Sequence, residues 1–459
     1  MAMDQSRRAF LKRSAALGVA GAAAPFVTNL AAIGEAAAST AADYKALVCV
    51  FLYGGNDYGN TLPPYDQASY NLYNAARPGL AHVRSTLDAT VLTPTAALAG
   101  GRQYALAPTM ASLLPIFDAG RMAVVLNVGT LAQPTTKAQY TSRSVPLPPK
   151  LFSHNDQQSY WQSSSPEGAN SGWGGRIGDL FQSGNGTATL TCINASGNAV
   201  FLSGRTAVQY AVSTSGPIPL LGNSSSLFGS QLAASSIRTL MGGAGTGLLG
   251  MEHGRISQRS LDLFSQVNSA LAGAPAANFN LFPASNSLAD QLKIVARLIS
   301  VSQELGAKRQ VFFVSLGGFD THDGLLTQHP TLVGLVADAM RAFYDTTVAL
   351  NIADKVTTFT ASDFGRTLQS NDDGSDHGWG SMHFVAGGAV NGKRFYGTPP
   401  AIGNNTPDDV GQGRLLPSIS VDQYASTLAS WFGVSASDMR TVLPNIGNYN
   451  QSTWNLGFV

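Results

Sequence analysis

Apolar residues in this chain gather into short unbroken runs that alternate with longer periodic stretches. The first run, Ala46-Leu-Val-Cys-Val-Phe-Leu-Tyr53, is stopped by Gly54-Gly55. A β-favouring run with no polar alternation suits a strand buried on both faces, as in a parallel sheet. Similar runs recur at 122–128, 188–194, 310–316, 356–361 and 383–386. Helical spacing lies between them. Residues 288–305 carry apolar side chains at 288, 292, 295, 299 and 305, with Ser287 predicted as N-cap and Gly306 as terminator. Residues 329–352 place Pro330 in a predicted first turn. Residues 421–432 follow a capping box, Ser420 with Gln423, and end at Gly433. Strands alternating with helices predict an α/β fold: a large, mainly parallel sheet flanked by helices. The stretch 183–250 is rich in Gly, Ser and Ala and poor in charge. It is expected to form strands and long loops elaborating one side of the sheet. No boundary divides residues 39–459, which are read as a single domain.

The first residues change the picture. Ser6-Arg7-Arg8-Ala9-Phe10-Leu11-Lys12 is a full twin-arginine signature. A weakly apolar stretch follows to Ala36-Ala37-Ala38, a small-residue site suited to cleavage. Residues 1–38 are therefore expected to be a signal peptide, with the twin-arginine export machinery as partner and the periplasm or the outside as destination. Pro25, Asn29 and Glu35 interrupt the apolar stretch, and no later segment is apolar enough for a stable membrane span. Charged residues make up 12% and the formal net charge is +1, with no basic patch to suggest nucleic acid. Cys49 and Cys192 both fall in apolar runs and are expected to be buried thiols rather than a disulfide.

Open parallel sheets bind ligands beyond the carboxyl ends of their strands. Three predicted strands each deliver an aspartate there: Asp57 after Gly54-Gly55-Asn56, Asp320 in Gly317-Gly-Phe-Asp-Thr-His322, and Asp363 in Ser362-Asp-Phe-Gly-Arg-Thr367. Asp376-His377-Gly-Trp379 follows, and four of the seven histidines lie between His322 and His383. Carboxylates and imidazoles from separate strands can hold a divalent metal, with zinc, manganese or iron suited to the mixture. Each aspartate alone also reads as a turn or helix cap. Ser153-His154-Asn-Asp156 fits a helix-start capping box, or else presents Ser153 or His154 at a helix N-terminus facing an anion. Arg366 is either a structural partner of Asp363 or a clamp on an anionic oxygen.

Together the signal, Gly54-Gly-Asn-Asp57, Ser153-His154, Gly318-Phe-Asp-Thr-His322, Asp363-Phe-Gly-Arg-Thr367 and Asp376-His-Gly-Trp379 resemble the bacterial exported family of unknown function 1501, over nearly the whole chain. That family is similar to the alkaline phosphatase and sulfatase superfamily. The resemblance implies an alkaline phosphatase-like sandwich with a metal site at the strand ends. By that resemblance Asp57, Asp320, His322, Asp363 and His377 would hold metal, and Ser153 would be the nucleophile. Two departures stand out. Asp320 and His322 are closer in sequence than is usual, and Phe364 stands where a histidine is usual. Phenylalanine cannot ligate, so one metal is favoured over two. The expected function is a metal-dependent hydrolase of small anionic phosphate or sulfate esters. The alternative is a non-catalytic binding or surface-assembly protein on a degenerate hydrolase scaffold. No G-x-G-x-x-G follows the first strand, which disfavours a dinucleotide-dependent redox enzyme.

Overall fold

The computed structural model describes residues 44–243, 245 and 247–459. The twin-arginine signature and the cleavage site at Ala38 lie outside the described residues. The strands are β1 (Lys45–Leu52), β2 (Met122–Gly129), β3 (Cys192–Asn194), β4 (Gln209–Ser213), β5 (Gly216–Pro217), β6 (Arg309–Leu316), β7 (Val356–Ser362), β8 (Arg366–Ser370), β9 (Ser375–His377), β10 (Ser381–Gly387), β11 (Arg394–Tyr396) and β12 (Ile419–Ser420). Ten of them form one sheet in the order β11-β2-β10-β7-β1-β6-β3-β4-β5, with β12 also paired to β2. The pairings are parallel except those of β10 with β2 and β7, and of β4 with β5. The predicted mainly parallel sheet is therefore present. β8 and β9 make a separate antiparallel ribbon.

The central strand shows why its sequence lacks alternation. Ala46, Val48 and Val50 enter one core, while Leu47, Cys49 and Phe51 enter the other, so both faces of β1 are dry. Helices cover the two sides: α1 (His154–Ser163), α2 (Trp173–Phe181), α3 (Gln231–Gly242), α4 (Leu248–Ala272), α5 (Ser287–Ser300), α6 (Leu325–Ala349) and α7 (Val421–Phe432). The first core takes Leu292, Val295 and Ile299 of α5 and Val333, Ala337 and Met340 of α6. The second takes Trp161 of α1, Ile177 of α2 and Tyr424 and Leu428 of α7. Helix, sheet and helix thus stack in three layers. No helix among the described residues is long and apolar enough to cross a membrane.

Several boundaries differ from expectation, each for a local reason. α5 is capped by Asn286, whose side chain accepts from the Ala289 amide at 3.0 Å, rather than by Ser287. It ends at Ser300, and residues 301–306 continue as turns. α6 begins at Leu325, so Pro330 lies inside the helix instead of in its first turn. A proline there forfeits one bond, to the Leu326 carbonyl, and the helix continues. Of 188–194 only Cys192–Asn194 is strand; residues 188–191 form a 3₁₀ turn. Between 183 and 250, β3 to β5 do extend one edge of the sheet, but α3 and the start of α4 replace the expected loops. Both cysteines are free and buried, as expected.

The cap of α7 matches its sequence signature. Ser420 Oγ accepts from the Gln423 amide at 3.0 Å, and the Gln423 side chain accepts from the Ser420 amide at 3.1 Å. The Ser420→Ala variant is expected to lose about 1–2 kcal/mol of stability, since the cap is fully buried. Urea unfolding followed by tryptophan fluorescence measures that loss.

Candidate metal centre

The site begins with strand register. Leu52 of β1 pairs with Leu316 of β6 and with Ser362 of β7, so three strands end side by side. The loops leaving them must cross at close range. Gly54 has φ 115°, and a Cβ there would lie 2.3 Å from the Asp320 amide nitrogen. Gly55 has φ 83°, and a Cβ there would lie 2.3 Å from the Phe364 ring. Gly54-Gly55 is thus the spacing element that lets the three loops converge.

Where they converge, imidazoles meet a carboxylate. Asp320 Oδ1 lies 3.1 Å from His377 Nε2 and 3.2 Å from His322 Nε2, and those two nitrogens are 2.9 Å apart. His154 Nε2 approaches Asp320 Oδ2 at 3.4 Å. Each ring is turned by an acceptor at Nδ1. His154 Nδ1 is 2.6 Å from Asp363 Oδ2, His377 Nδ1 is 2.7 Å from the Phe152 carbonyl, and His322 Nδ1 is 3.3 Å from Asp376 Oδ1. An Nδ1–H donated to such a partner leaves Nε2 with a bare lone pair. Phe152 aims its carbonyl from a left-handed backbone, φ 72°. Phe364 packs against two of the rings, at centroid distances of 4.9 Å to His154 and 4.7 Å to His377. At the position where the resemblance implies a histidine, it supplies an apolar wall.

The donor set fits a divalent ion. Lone-pair atoms about 3 Å apart repel unless protons or a cation lie between them. Bonds of about 2.0–2.1 Å to a tetrahedral ion place its ligand atoms about 3.3 Å apart, close to the observed spacing. His154 Nε2 is buried with no hydrogen-bond partner, as an open ligand position would be. His154, Asp320 and His377 offer ligand atoms within 4.8 Å of one another, and His322 joins them through His377. Electrostatics favour ligation at Asp320 and His377 and oppose it at His154. Burial alone would raise the Asp320 carboxyl, but the Arg366 guanidinium at 2.8 Å outweighs it and holds the group below its usual range, ionised. Burial pushes His377 down, toward its neutral, ligating form. The hydrogen bond to Asp363 pushes His154 up.

Of the five residues expected to bind metal, Asp320, His322 and His377 come together, and His154, expected as a catalytic group, joins them. Asp57 does not. Both its oxygens are taken by Arg77, at 2.6 and 2.5 Å, in a fully buried bidentate pair, and it caps the turn Tyr58–Thr61. Asp363 stands one layer behind, accepting on Oδ2 from His154, Gln158 and the Gly54 amide. Arg366 pairs with Asp320 rather than Asp363. It is fully buried, with its other donors on Gly54 O and Ser375, so it has no free edge for an anion. Ser153 begins α1 as expected, yet its hydroxyl bonds the Asp156 side chain at 3.2 Å rather than a backbone amide.

Sequence reasoning missed Arg77, Ser375 and the Phe152 carbonyl. Ser375 donates to Asp57 at 2.9 Å and accepts from Arg366 at 3.1 Å, so a buried chain runs Arg77–Asp57–Ser375–Arg366–Asp320. Nothing in local sequence announces that chain, because each link joins distant segments.

Residues 268–440, which hold Asp320, His322, Asp363, Arg366 and His377, match the model of a family described as a protein of unknown function, DUF1501. By sequence, no curated protein matches. Among solved structures, the chain is similar to the lipoteichoic acid synthase LtaP from Listeria monocytogenes, with 9% identity over 91% of this chain and 77% of that one, TM-score 0.34. It is similar to a protein from the glycosaminoglycan-metabolism locus of Bacteroides thetaiotaomicron, with 10% identity over 86% and 74%, TM-score 0.34. It is also similar to Ps i-CgsB, with 10% identity over 89% and 77%, TM-score 0.35.

Separating Asp57 from the cluster gives a test. Asp57→Asn leaves Arg77 buried and half-paired, which is expected to cost about 3–5 kcal/mol in denaturant unfolding, while metal content stays at the parent level. Arg77 holds the Asp57 carboxyl well below its usual range, more than offsetting burial. Its stabilising contribution is therefore full above the unfolded-chain value of about 4 and is lost as pH falls toward the folded value. Acid unfolding of Asp57→Asn should accordingly show a shallower pH dependence below about pH 4.

Proposed function

We propose that this protein is an exported hydrolase of phosphate or sulfate esters, with one divalent ion held by His154, Asp320, His322 and His377. The observation that carries this reading is the convergence of three imidazole Nε2 atoms on one carboxylate, each ring oriented through Nδ1. Three imidazoles and one carboxylate suit zinc, manganese or iron, whereas calcium and magnesium want more oxygen. An ion so held supplies Lewis acidity at a phosphoryl or sulfuryl oxygen and acidifies water. The chain's own groups do the rest. Asp320 and His322 are 45% and 40% exposed, so the cluster is open to a ligand from solvent. Phe364 walls its inner side. Ser153 donates its hydroxyl hydrogen to the buried Asp156 carboxylate, which stands ready as proton acceptor if the serine attacks; water is the other nucleophile. Arg366 acts as a positioning residue that keeps Asp320 ionised and aimed.

Export by the twin-arginine machinery is proposed from Ser6–Lys12. That pathway passes folded chains, so the ion can be chosen in the cytoplasm before delivery to the periplasm or beyond.

A second reading, a surface-assembly protein, is favoured by one feature. Leu221, Phe228, Leu232, Leu240, Leu248 and Leu249 are between 65% and 102% exposed within one short stretch of chain. Should these side chains form one patch, it would have the character of a contact surface.

Elemental mass spectrometry of the purified mature protein tests the leading reading. The expected result is one metal per chain, absent from folded Asp320→Ala and His377→Ala. Asp363→Asn should weaken metal affinity about 10–100-fold, the usual effect of losing the group that orients a ligating histidine. A parent that takes up no metal under replete conditions would sink the hydrolase reading and leave the assembly reading standing.

A further inference from the structure

With Arg366 spent on Asp320, no arginine of the cluster itself is left to receive an anionic ester. Arg414 stands next to the cluster, against the backbone of His377 and the ring of Phe152. Arg414 donates through Nε to the His377 carbonyl at 2.7 Å, and its guanidinium lies over the Phe152 ring, 5.0 Å from the centroid. These contacts fix it to the His377 backbone and to Phe152, whose carbonyl orients the His377 ring. Nη1 bonds the Gly411 carbonyl at 3.3 Å, and Nη2 makes no hydrogen bond among the described residues.

The loop beneath is built to hold the guanidinium still. Asp409, itself buried, accepts on Oδ1 from the amides of Gly411 and Gly413 at 2.7 and 2.8 Å, and on Oδ2 from Asn405 at 2.7 Å. The Gly413 carbonyl in turn receives the Tyr58 hydroxyl and the Leu368 amide. An arginine carried on such a turn loses little freedom when it binds. Lys150 is 69% exposed and faces Asp156 at 3.5 Å, so it is engaged elsewhere.

We propose that Arg414 is the specificity residue of this site, receiving the non-bridging oxygens of a tetrahedral phosphoryl or sulfuryl group through its Nη2 edge. The proposal rests on the metal-centre reading above and assigns to Arg414 the role that sequence had offered to Arg366. With Nε and Nη1 held by backbone carbonyls, the two hydrogens of Nη2 remain for an oxyanion, a charge-assisted contact next to the proposed metal centre. A neutral ester or amide would gain nothing from it.

Isothermal titration of the metal-loaded full mature chain with inorganic phosphate, and separately with sulfate, tests this. The parent is expected to bind at least one of them, and the stronger of the two names the ester class. Arg414→Gln should weaken that binding about tenfold or more, the scale of a lost charged hydrogen bond, with metal content unchanged. Arg414→Lys keeps the charge and the stem over Phe152 but not the fork, and should fall between. It also serves if the glutamine variant folds poorly. Parent-like anion binding in both variants, with metal retained, would overturn the role of Arg414 and leave the metal centre intact. A metal-loaded parent that binds neither anion would overturn it too. Failure of the parent to hold metal at all is a different result, which removes the hydrolase reading and this one with it.

Discussion

The pairing of β1 with β6 and β7 is the constraint from which the rest of the site follows. Parallel strands in register must end at one level, and the loops that leave them compete for the same space. Here the competition is settled by removing side chains: Gly54 lies against the backbone of Asp320, and Gly55 against the ring of Phe364. Adding a single Cβ at either position would force apart the strand ends that carry Asp320 and Asp363. The rigidity of the centre therefore originates in the sheet, where β1 is dry on both faces, and not in the exposed loops that display it.

The three strand-end aspartates show how neighbours, not residue type, decide a carboxylate's task. Asp57 meets a buried guanidinium and becomes a structural anion. Asp363 meets a histidine and becomes that ring's orienting acceptor. Asp320 meets a guanidinium on one side and bare nitrogens on the other, so it stays ionised while keeping lone pairs free. The chain Arg77–Asp57–Ser375–Arg366–Asp320 joins the first to the third through buried links. Burying the Arg77–Asp57 pair and the Arg366 guanidinium is expensive, and hydrophobic replacements of similar volume often do as well for stability. What the network secures is direction. Arg366 has no freedom to swing, so Asp320 has none either.

Much of the fold could be read from sequence because its signals are local. Unbroken apolar runs marked five of the long strands within a few residues, and Ser420 with Gln423 marked the start of α7. The errors came where a stronger neighbour replaced a plausible signal. Asn286 took the cap expected of Ser287, and α6 extended back past Pro330 because losing one hydrogen bond did not outweigh the burial of Leu325. The site was legible only as a set of residue types. Sequence could place Asp320, His322 and His377 near one another, since each lies at or soon after a strand end. It could not divide the residues that meet in the cluster from those that support it, because that division depends on Arg77 and Phe152, which reach Asp57 and His377 from other segments.

Phe364 makes the same point from the other side. Judged against a superfamily pattern, a phenylalanine in a ligand position looks like loss of function. In place, its ring lies against His154 and His377 and fills the space beside Gly55. An apolar wall there lowers the local dielectric, which strengthens each neighbouring charge interaction, and the burial it contributes to pushes His377 down. Asp57, the remaining strand-end aspartate, is already neutralised by Arg77, and the other carboxylates at the cluster, Asp363 and Asp376, face imidazole Nδ1 atoms. Phe364 therefore serves packing at this position, holding the His154 and His377 rings from their inner side.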